Sequence, residues 1–140
     1  LQHMGLIESS KAMLSKIPNI KSQIVIKGPP TKLTQDIDLG LYRVINELIN
    51  NTIKYAEAKT ITLTYHFLEE EIRLRYEDDG KGFDMEKLPK DRGLGLHNME
   101  SRIQVMGGII QITSSPGNGT TTEIGIPLTE IHSQQMSSST

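Results

Sequence analysis

The stretch LGLYRVINELINNTI, residues 39–53, predicts the longest helix of the chain. Its apolar residues recur every three or four positions over about four turns, which is the period of a helix with one buried face. An aspartate near its start, Asp36 or Asp38, is expected to cap the N-terminus. Because such a helix must bury its apolar stripe against another layer, the flanking segments are expected to supply that layer.

The flanking segments predict a sheet and two further helices. The order α-β-α-β-β-α-β-β, with two adjacent hairpins, indicates an α/β two-layer sandwich whose mixed, mostly antiparallel sheet carries the helices on one face. Residues 78–92 are rich in Gly, Lys and Asp and predict a loop. Strands are predicted at residues 22–27, 60–67, 71–77, 109–113 and 120–127, and helices at residues 6–17 and 94–106, the latter ending at Gly107-Gly108.

Composition excludes several classes of protein. The length of 140 residues suits one domain, and 15 Lys and Arg against 17 Asp and Glu give a net charge of −2, which argues against a nucleic-acid partner. The absence of Cys excludes disulfide frameworks, thiolate zinc sites and cysteine nucleophiles in this chain. No apolar run approaches the roughly 20 residues of a membrane span, and no signal-peptide pattern is present, so a cytoplasmic domain is expected.

Both ends of the chain are expected to lie outside the folded domain, which we place at residues 5–128. Residues 1–4 are not a native initiation and are interpreted as a cloning remnant or the end of an upstream segment. Residues 129–140 are rich in Ser and Gln, have little to bury, and are expected to be disordered.

The end of the long helix carries the first candidate site. Glu47 and Asn51 are four residues apart and therefore project from one face, and Lys54 and Tyr55 follow one turn later. An acid, an amide, an ammonium and an aromatic ring could together hold a hydrated metal, a phosphate and a base. From this helix alone, however, a solvated face of an amphipathic helix is the favoured explanation.

Three glycine-containing segments are further candidates, each weak when taken alone. In DDGKGF, residues 78–83, a carboxylate after a strand could accept a hydrogen bond from an exocyclic amine, although such turns are common. GLGL, residues 93–96, precedes a predicted helix whose free amides could bind an anion. GNGTT, residues 117–121, is most simply a hairpin turn entering a strand.

Taken together and in this order, the four segments resemble the ATP-binding catalytic domain of bacterial sensor histidine kinases. That domain belongs to the superfamily of gyrase, MutL and chaperone ATPases with the Bergerat-type ATP-binding fold. Residues 42–47 and 51–56 resemble the N box, residues 78–83 the first glycine box and residues 93–96 the second. The continuation at residues 97–108, and Glu at the first N-box position, are similar to kinases that signal to response regulators of the NarL type.

The resemblance implies a role for each motif residue. Asn51 would bind Mg²⁺, while Glu47 would hold the hydration shell of that ion or orient a nucleophile. Asp78 would accept a hydrogen bond from the adenine amino group, supported by Thr120 or Thr121. Gly80 and Gly82 would keep the segment that carries Asp78 close to the nucleotide. The remaining expected ATP-binding residues are Lys54, Gly93, Gly95 and His97 toward the phosphates, Tyr55 beside the adenine, Leu94 and Leu96 as anchors of the lid helix, and Phe83 as part of the first glycine box.

The function implied is donation of the γ-phosphoryl group of Mg·ATP to a histidine on a separate, upstream dimerisation domain. The implied partners are ATP, that phosphoacceptor domain and a NarL-type response regulator, and the isolated domain is expected to be monomeric. The resemblance leaves open whether the full-length protein is anchored in a membrane. Two alternatives remain: a stand-alone serine kinase that binds a sigma factor, and a non-enzymatic nucleotide-binding regulatory module. The intact metal amide and glycines argue against the second.

Overall fold

The computed structural model describes residues 5–128, which form one five-stranded sheet and three α-helices. The expectations for residues 1–4 and 129–140 lie outside the described residues. The strands are β1 (Lys21–Lys27), β2 (Thr60–Phe67), β3 (Glu71–Asp78), β4 (Ile109–Ser114) and β5 (Thr120–Pro127), and the helices are α1 (Leu6–Ser15), α2 (Gln35–Asn51) and α3 (Lys90–Val105).

The sheet has the spatial order β1-β2-β3-β5-β4. β1 and β2 are parallel and are connected through α2, whereas β2 with β3, β3 with β5 and β5 with β4 are antiparallel. The sheet is therefore mixed and mostly antiparallel, as predicted. In this register Asp78 lies opposite Thr120 of β5, so the last residue of β3 and the first residue of β5 are neighbours at one end of the strands.

The helices cover one face of the sheet. Side chains alternate along a strand, and in the central strands every second residue is buried, as with Leu63 and Tyr65 of β2 and Leu74 and Tyr76 of β3. α2 contacts both α1 and α3, and its stripe closes the core over these strands. The predicted two-layer architecture is confirmed. Within residues 5–128, no helix combines the length and apolarity that crossing a bilayer requires.

Thr34, rather than Asp36 or Asp38, caps α2. The Thr34 hydroxyl accepts a hydrogen bond from the backbone amide of Ile37 at 3.4 Å. A capping side chain must come from the residue that precedes the first helical residue, and both aspartates lie inside the first turn. There their charges interact favourably with the helix dipole, so the predicted cap was wrong but the acidic first turn has a physical role.

A π-helical turn, Thr52–Ala56, continues α2 and changes the direction of its side chains. Such turns are wider than an α-helical turn and are frequent at functional sites. Ile53, assigned to the apolar stripe from its spacing, is consequently 53% exposed. Thr52 and Ala56 are buried instead, and the turn ends at Glu57 in the left-handed conformation.

α3 begins at Lys90, four residues before the predicted start at residue 94. The loop that precedes it is therefore shorter than the predicted residues 78–92, and the segment GLGL lies inside the helix rather than in front of it. Pro89 occupies the N-cap position and Asp91 lies in the first turn. The helix ends before Gly107, whose φ of +77° fits the predicted glycine stop.

Candidate functional site

A small cavity lies where α2, its π-helical turn, the end of β3, the start of β5 and α3 converge. Its volume of about 20 Å³ is room for about one water molecule. The cavity therefore collects residues from all the predicted motifs, but it is nearly closed. Among its lining residues are Asn51, Thr52, Asp78, Arg92, Leu96 and Thr120.

Asp78 lies at the end of β3 with both carboxylate oxygens engaged. Oδ1 accepts a hydrogen bond from the amide of Gly80 at 2.9 Å, and Oδ2 accepts one from the Thr52 hydroxyl at 3.2 Å. The Tyr76 hydroxyl is 2.8 Å from the same Thr52 oxygen and can donate to it. Burial raises the pKa of Tyr76 well above its ordinary value, so this phenol stays protonated. The single hydrogen of the Thr52 hydroxyl has a second acceptor, the carbonyl of Leu48 at 3.1 Å, so Asp78 shares this donor, whereas the amide of Gly80 is held by Asp78 alone.

Thr52 was not anticipated as a partner of Asp78, although the sequence carries a signal for it. Thr52 follows Leu48 by four residues and therefore falls on the buried stripe of α2, where its hydroxyl needs a partner and finds one in the carbonyl of Leu48 as well as in Asp78. Among the described residues, neither Thr120 nor Thr121, the two expected supports, forms a hydrogen bond to Asp78. Thr120 lines the cavity but its hydroxyl lies 3.0 Å from that of Ser114.

Thr121 lies on the opposite face of β5 from the cavity, because successive side chains of a strand alternate. The next residue, Thr122, is on the same face as Thr120, is buried, and lines the cavity. Its hydroxyl lacks a hydrogen-bond partner among residues 5–128, so this wall of the cavity keeps an unused polar group.

Asp79, next to Asp78, has a structural role instead. Its Oδ1 accepts hydrogen bonds from the amides of Thr60 at 2.9 Å and Lys59 at 2.8 Å. These bonds, the one from Thr60 foremost, hold the pKa of Asp79 below its ordinary value. The two neighbouring carboxylates therefore have different tasks: Asp79 joins the loop to the start of β2, and Asp78 faces the cavity.

Gly80 and Gly82 allow the loop after β3 to approach other parts of the protein. A Cβ atom on Gly80 would lie 2.6 Å from the Cβ of Ala56, and one on Gly82 would lie 3.0 Å from the carbonyl oxygen of Gly119 and closer still to that of Ser115. Gly82 also has a φ of +65°. The absence of a side chain at both glycines lets this loop pack against the π-helical turn and the β4–β5 turn.

Glu47 and Asn51 lie one turn apart on α2, facing the start of α3. Asn51 lines the cavity, and Glu47 Oε2 is 3.6 Å from the position that a Cβ on Gly95 would take. Within residues 5–128 no group of three or more His, Asp or Glu side chains could hold a metal ion. One amide and one carboxylate fit Mg²⁺, which keeps several waters and binds few protein ligands when substrate phosphates complete its shell.

The second glycine segment differs most from its predicted geometry. The amide of Gly93 donates to the carbonyl of Pro89 at 2.9 Å, so it is not free to bind an anion. Leu94 is 59% exposed and does not anchor α3, whereas Leu96 lines the cavity and Met99 is buried. An early helix start explains both differences, because it places residue 94 on the solvent side. His97 is exposed on the same helix.

Arg92, predicted to lie in the loop, enters the site from the first turn of α3. Its guanidinium carbon lies 4.3 Å from the ring centroid of Tyr55 and 4.2 Å from that of Phe83. Its Nε is buried and has no hydrogen-bond partner among residues 5–128. Desolvation lowers the pKa of Arg92, and the nearby Tyr55 and Asp78 oppose that effect. Lys54, the remaining predicted residue of this turn, is exposed.

Comparison with known proteins identifies similar sequences. The family model of histidine kinase-, DNA gyrase B-, and HSP90-like ATPases matches residues 36–130. Sensor histidine kinase ComP of Bacillus subtilis (strain 168) is 30% identical over 132 residues, which cover 91% of this chain and 17% of that protein. The chain thus spans less than a fifth of the length of this relative.

Solved structures share the fold. The histidine kinase domain from the blue-light activated histidine kinase of Erythrobacter litoralis EL346 superposes with a TM-score of 0.73 at 20% identity, covering 89% of this chain and 60% of that one. The catalytic domain of histidine kinase ThkA superposes with a TM-score of 0.71 at 20% identity, covering 88% of this chain and 89% of that one. At this identity the likeness concerns the fold, and it confirms the predicted α/β architecture.

Proposed function

The chain belongs to the family of histidine kinase-, DNA gyrase B- and HSP90-like ATPases, and on this premise we propose that residues 5–128 bind Mg·ATP as the catalytic domain of a sensor histidine kinase. The observation that carries the proposal is the convergence of Asn51, Asp78, Leu96 and Thr120 on one cavity. These residues come from four separate motifs, and local structure alone gives no reason for them to meet.

The adenine end of the proposed site is the wall around Asp78. An ionised carboxylate is an acceptor only, and the amide of Gly80 and the hydroxyl of Thr52 hold it toward the cavity. It is thereby suited to accept a hydrogen bond from an exocyclic amine. Thr120 and Thr122 add hydroxyls to the same wall, and the rings of Tyr55 and Phe83 supply surfaces on which a base can stack.

The phosphate end lies between α2 and the start of α3. Asn51 would hold Mg²⁺, with Glu47 within one turn to hold its hydration shell or orient the nucleophile. When bound, the ion would neutralise charge that develops on the phosphates. Lys54 and His97 are exposed and can approach a triphosphate from either side. The amides of Gly93 and Gly95 become available only if the first turn of α3 opens.

The reaction we propose is transfer of the γ-phosphoryl group of ATP to a histidine on a separate dimerisation domain. Such transfer depends on positioning and charge neutralisation, which this site would supply, while the neutral imidazole is itself the nucleophile. The partners proposed are that phosphoacceptor domain of the same protein and a response regulator of the NarL type. Because ATP is the substrate, we place the working domain in the cytoplasm, and we expect it to be monomeric when isolated.

Titration calorimetry of Mg·ATP binding, with and without chelator, tests the proposal. The wild type is expected to bind ATP about tenfold more tightly with Mg²⁺ than without it, and Asn51→Ala is expected to abolish that difference. The matched control is Asn46→Ala, since Asn46 is an exposed amide on the same helix. A folded wild type that binds no nucleotide would overturn the proposal.

The kinase step has its own assay. The domain is incubated with γ-labelled ATP and a longer form of the protein that includes the dimerisation domain, and acid-labile, alkali-stable label marks phosphohistidine. Label on serine, with none on histidine, would instead favour the serine kinase alternative.

Gly93→Ala separates the stability of the lid helix from its function. A Cβ at this position meets nothing within 4 Å, and alanine is the better helix former, so the free energy of unfolding is expected to rise by about 0.5–1 kcal/mol. Mg·ATP binding is expected to weaken, because the first turn of α3 becomes harder to open. Thermal unfolding and calorimetry measure the two effects.

The control for Gly93→Ala is Asn98→Ala, an exposed position further along α3. It also raises helix propensity, but it leaves the first turn unchanged. If both variants bind Mg·ATP as tightly as the wild type, the first turn of α3 does not have to open.

A further inference from the structure

The Arg92 side chain occupies the part of the site that a base would need. Its guanidinium group is planar and lies about 4 Å from two aromatic rings that belong to different elements. Tyr55 comes from the π-helical turn after α2, and Phe83 comes from the loop after β3. A flat group in contact with both rings is also the arrangement expected for a stacked adenine.

The volume of the site leaves no room for a base beside the inserted Arg92. With Arg92 in place, the cavity beside Asp78 holds about 20 Å³, enough for one water molecule and far too little for a purine. Arg92 itself lines this cavity, together with Asp78 and Phe83. Arg92 is thus one of the groups that stand in the way of a base beside Asp78.

The contacts of Arg92 are attractive but incomplete. Cation–π attraction to two rings and the negative charge of Asp78 favour the inserted position. Against it, the buried Nε has no hydrogen-bond acceptor among residues 5–128, and no carboxylate there forms an ion pair with the guanidinium group. A buried polar group without a hydrogen-bond partner is less stable than the same group in water. The inserted side chain can therefore be displaced.

From these observations, and resting on the proposed function, we infer that Arg92 is a displaceable plug of the nucleotide site that competes with adenine for the space between Tyr55 and Phe83. The apparent affinity for a base is then the intrinsic affinity reduced by the fraction of molecules in which the plug is out. Because Arg92 belongs to the first turn of α3, its withdrawal couples occupancy of the base site to the position of the lid helix.

Adenosine binding to plug variants tests this inference, because adenosine carries no phosphate with which an arginine could pair. If the plug is in for about nine molecules in ten, Arg92→Ala should bind adenosine about tenfold more tightly than the wild type. Arg92→Lys keeps the charge but lacks the planar group, and is expected to bind more tightly as well. Lys87→Ala, which removes an exposed cation from the loop before α3, should bind like the wild type.

Nuclear magnetic resonance gives a second readout. In the wild type the Arg92 Nε–H signal should carry the ring-current shift of two flanking aromatic rings, and adenosine should move it toward the position of an exposed arginine. Unchanged or weaker adenosine binding by Arg92→Ala would overturn the plug. If Mg·ATP binds to the wild type in that case, the proposed function stands without it. If neither adenosine nor Mg·ATP binds any variant, the proposed function fails and the plug fails with it.

Discussion

Replacing Asp78 by asparagine is expected to weaken ATP binding by about 100-fold while leaving the domain folded. A hydrogen bond to a charged group contributes about 1.5–3 kcal/mol, which corresponds to roughly 10–150-fold in affinity. The upper part of this range applies, because the amide of Gly80 and the neighbouring Thr52 hydroxyl hold the carboxylate in place before the base arrives. The amide nitrogen of an asparagine would also face either the Gly80 amide or the Thr52 hydroxyl, so that two hydrogen-bond donors would meet.

The control for Asp78→Asn is Asp79→Asn, which removes the same charge from the adjacent residue. Asp79 does not line the cavity and bonds the amides of Lys59 and Thr60, so its replacement should lower stability but not ATP affinity. Calorimetry with ATP and with GTP measures the nucleotide affinity of both variants. Equal ATP affinity for the two variants would show that Asp78 does not contact the base.

Gly82→Ala is expected to lower the free energy of unfolding by about 3 kcal/mol, the largest stability effect that we predict for a single methyl group. Two penalties combine in it. The φ of +65° is strained for any residue with a Cβ, and that Cβ would overlap the carbonyl oxygen of Ser115, a backbone atom that cannot rotate away. The loop and the β4–β5 turn would have to separate.

Gly117→Ala is the matched control for Gly82→Ala. Its φ of +83° imposes the same kind of strain, but a Cβ there meets nothing within 4 Å, so a loss of only about 1 kcal/mol is expected. The difference between the two variants in urea unfolding isolates the contact with Ser115. Equal losses would mean that the loop moves aside freely and that close packing does not hold the wall of the site.

The sequence alone identified the elements and their order, because apolar spacing records which face of each segment is buried. The hairpin of β2 and β3 was predicted at Thr60–Phe67 and residues 71–77, within one residue of its observed bounds. The mixed sheet and the single helical layer followed from that order. The motif residues Asn51, Asp78 and Leu96 were named through the order of the four motifs and their resemblance to a kinase family, and the fold brings them to one cavity.

The tertiary structure decided what surrounds those residues. Asp78 contacts the hydroxyl of Thr52, whereas the hydroxyl of Thr120 contacts Ser114. The distances between these residues of different elements depend on tertiary packing, so no local sequence pattern predicts them. The start of α3 at Lys90 overrides the low helix propensity of two glycines. The position of Arg92 between Tyr55 and Phe83 accompanies that early start, because Arg92 lies in the first turn of the helix. Spacing along the chain fixes which face of a segment is buried, but contacts between distant segments depend on how the layers pack.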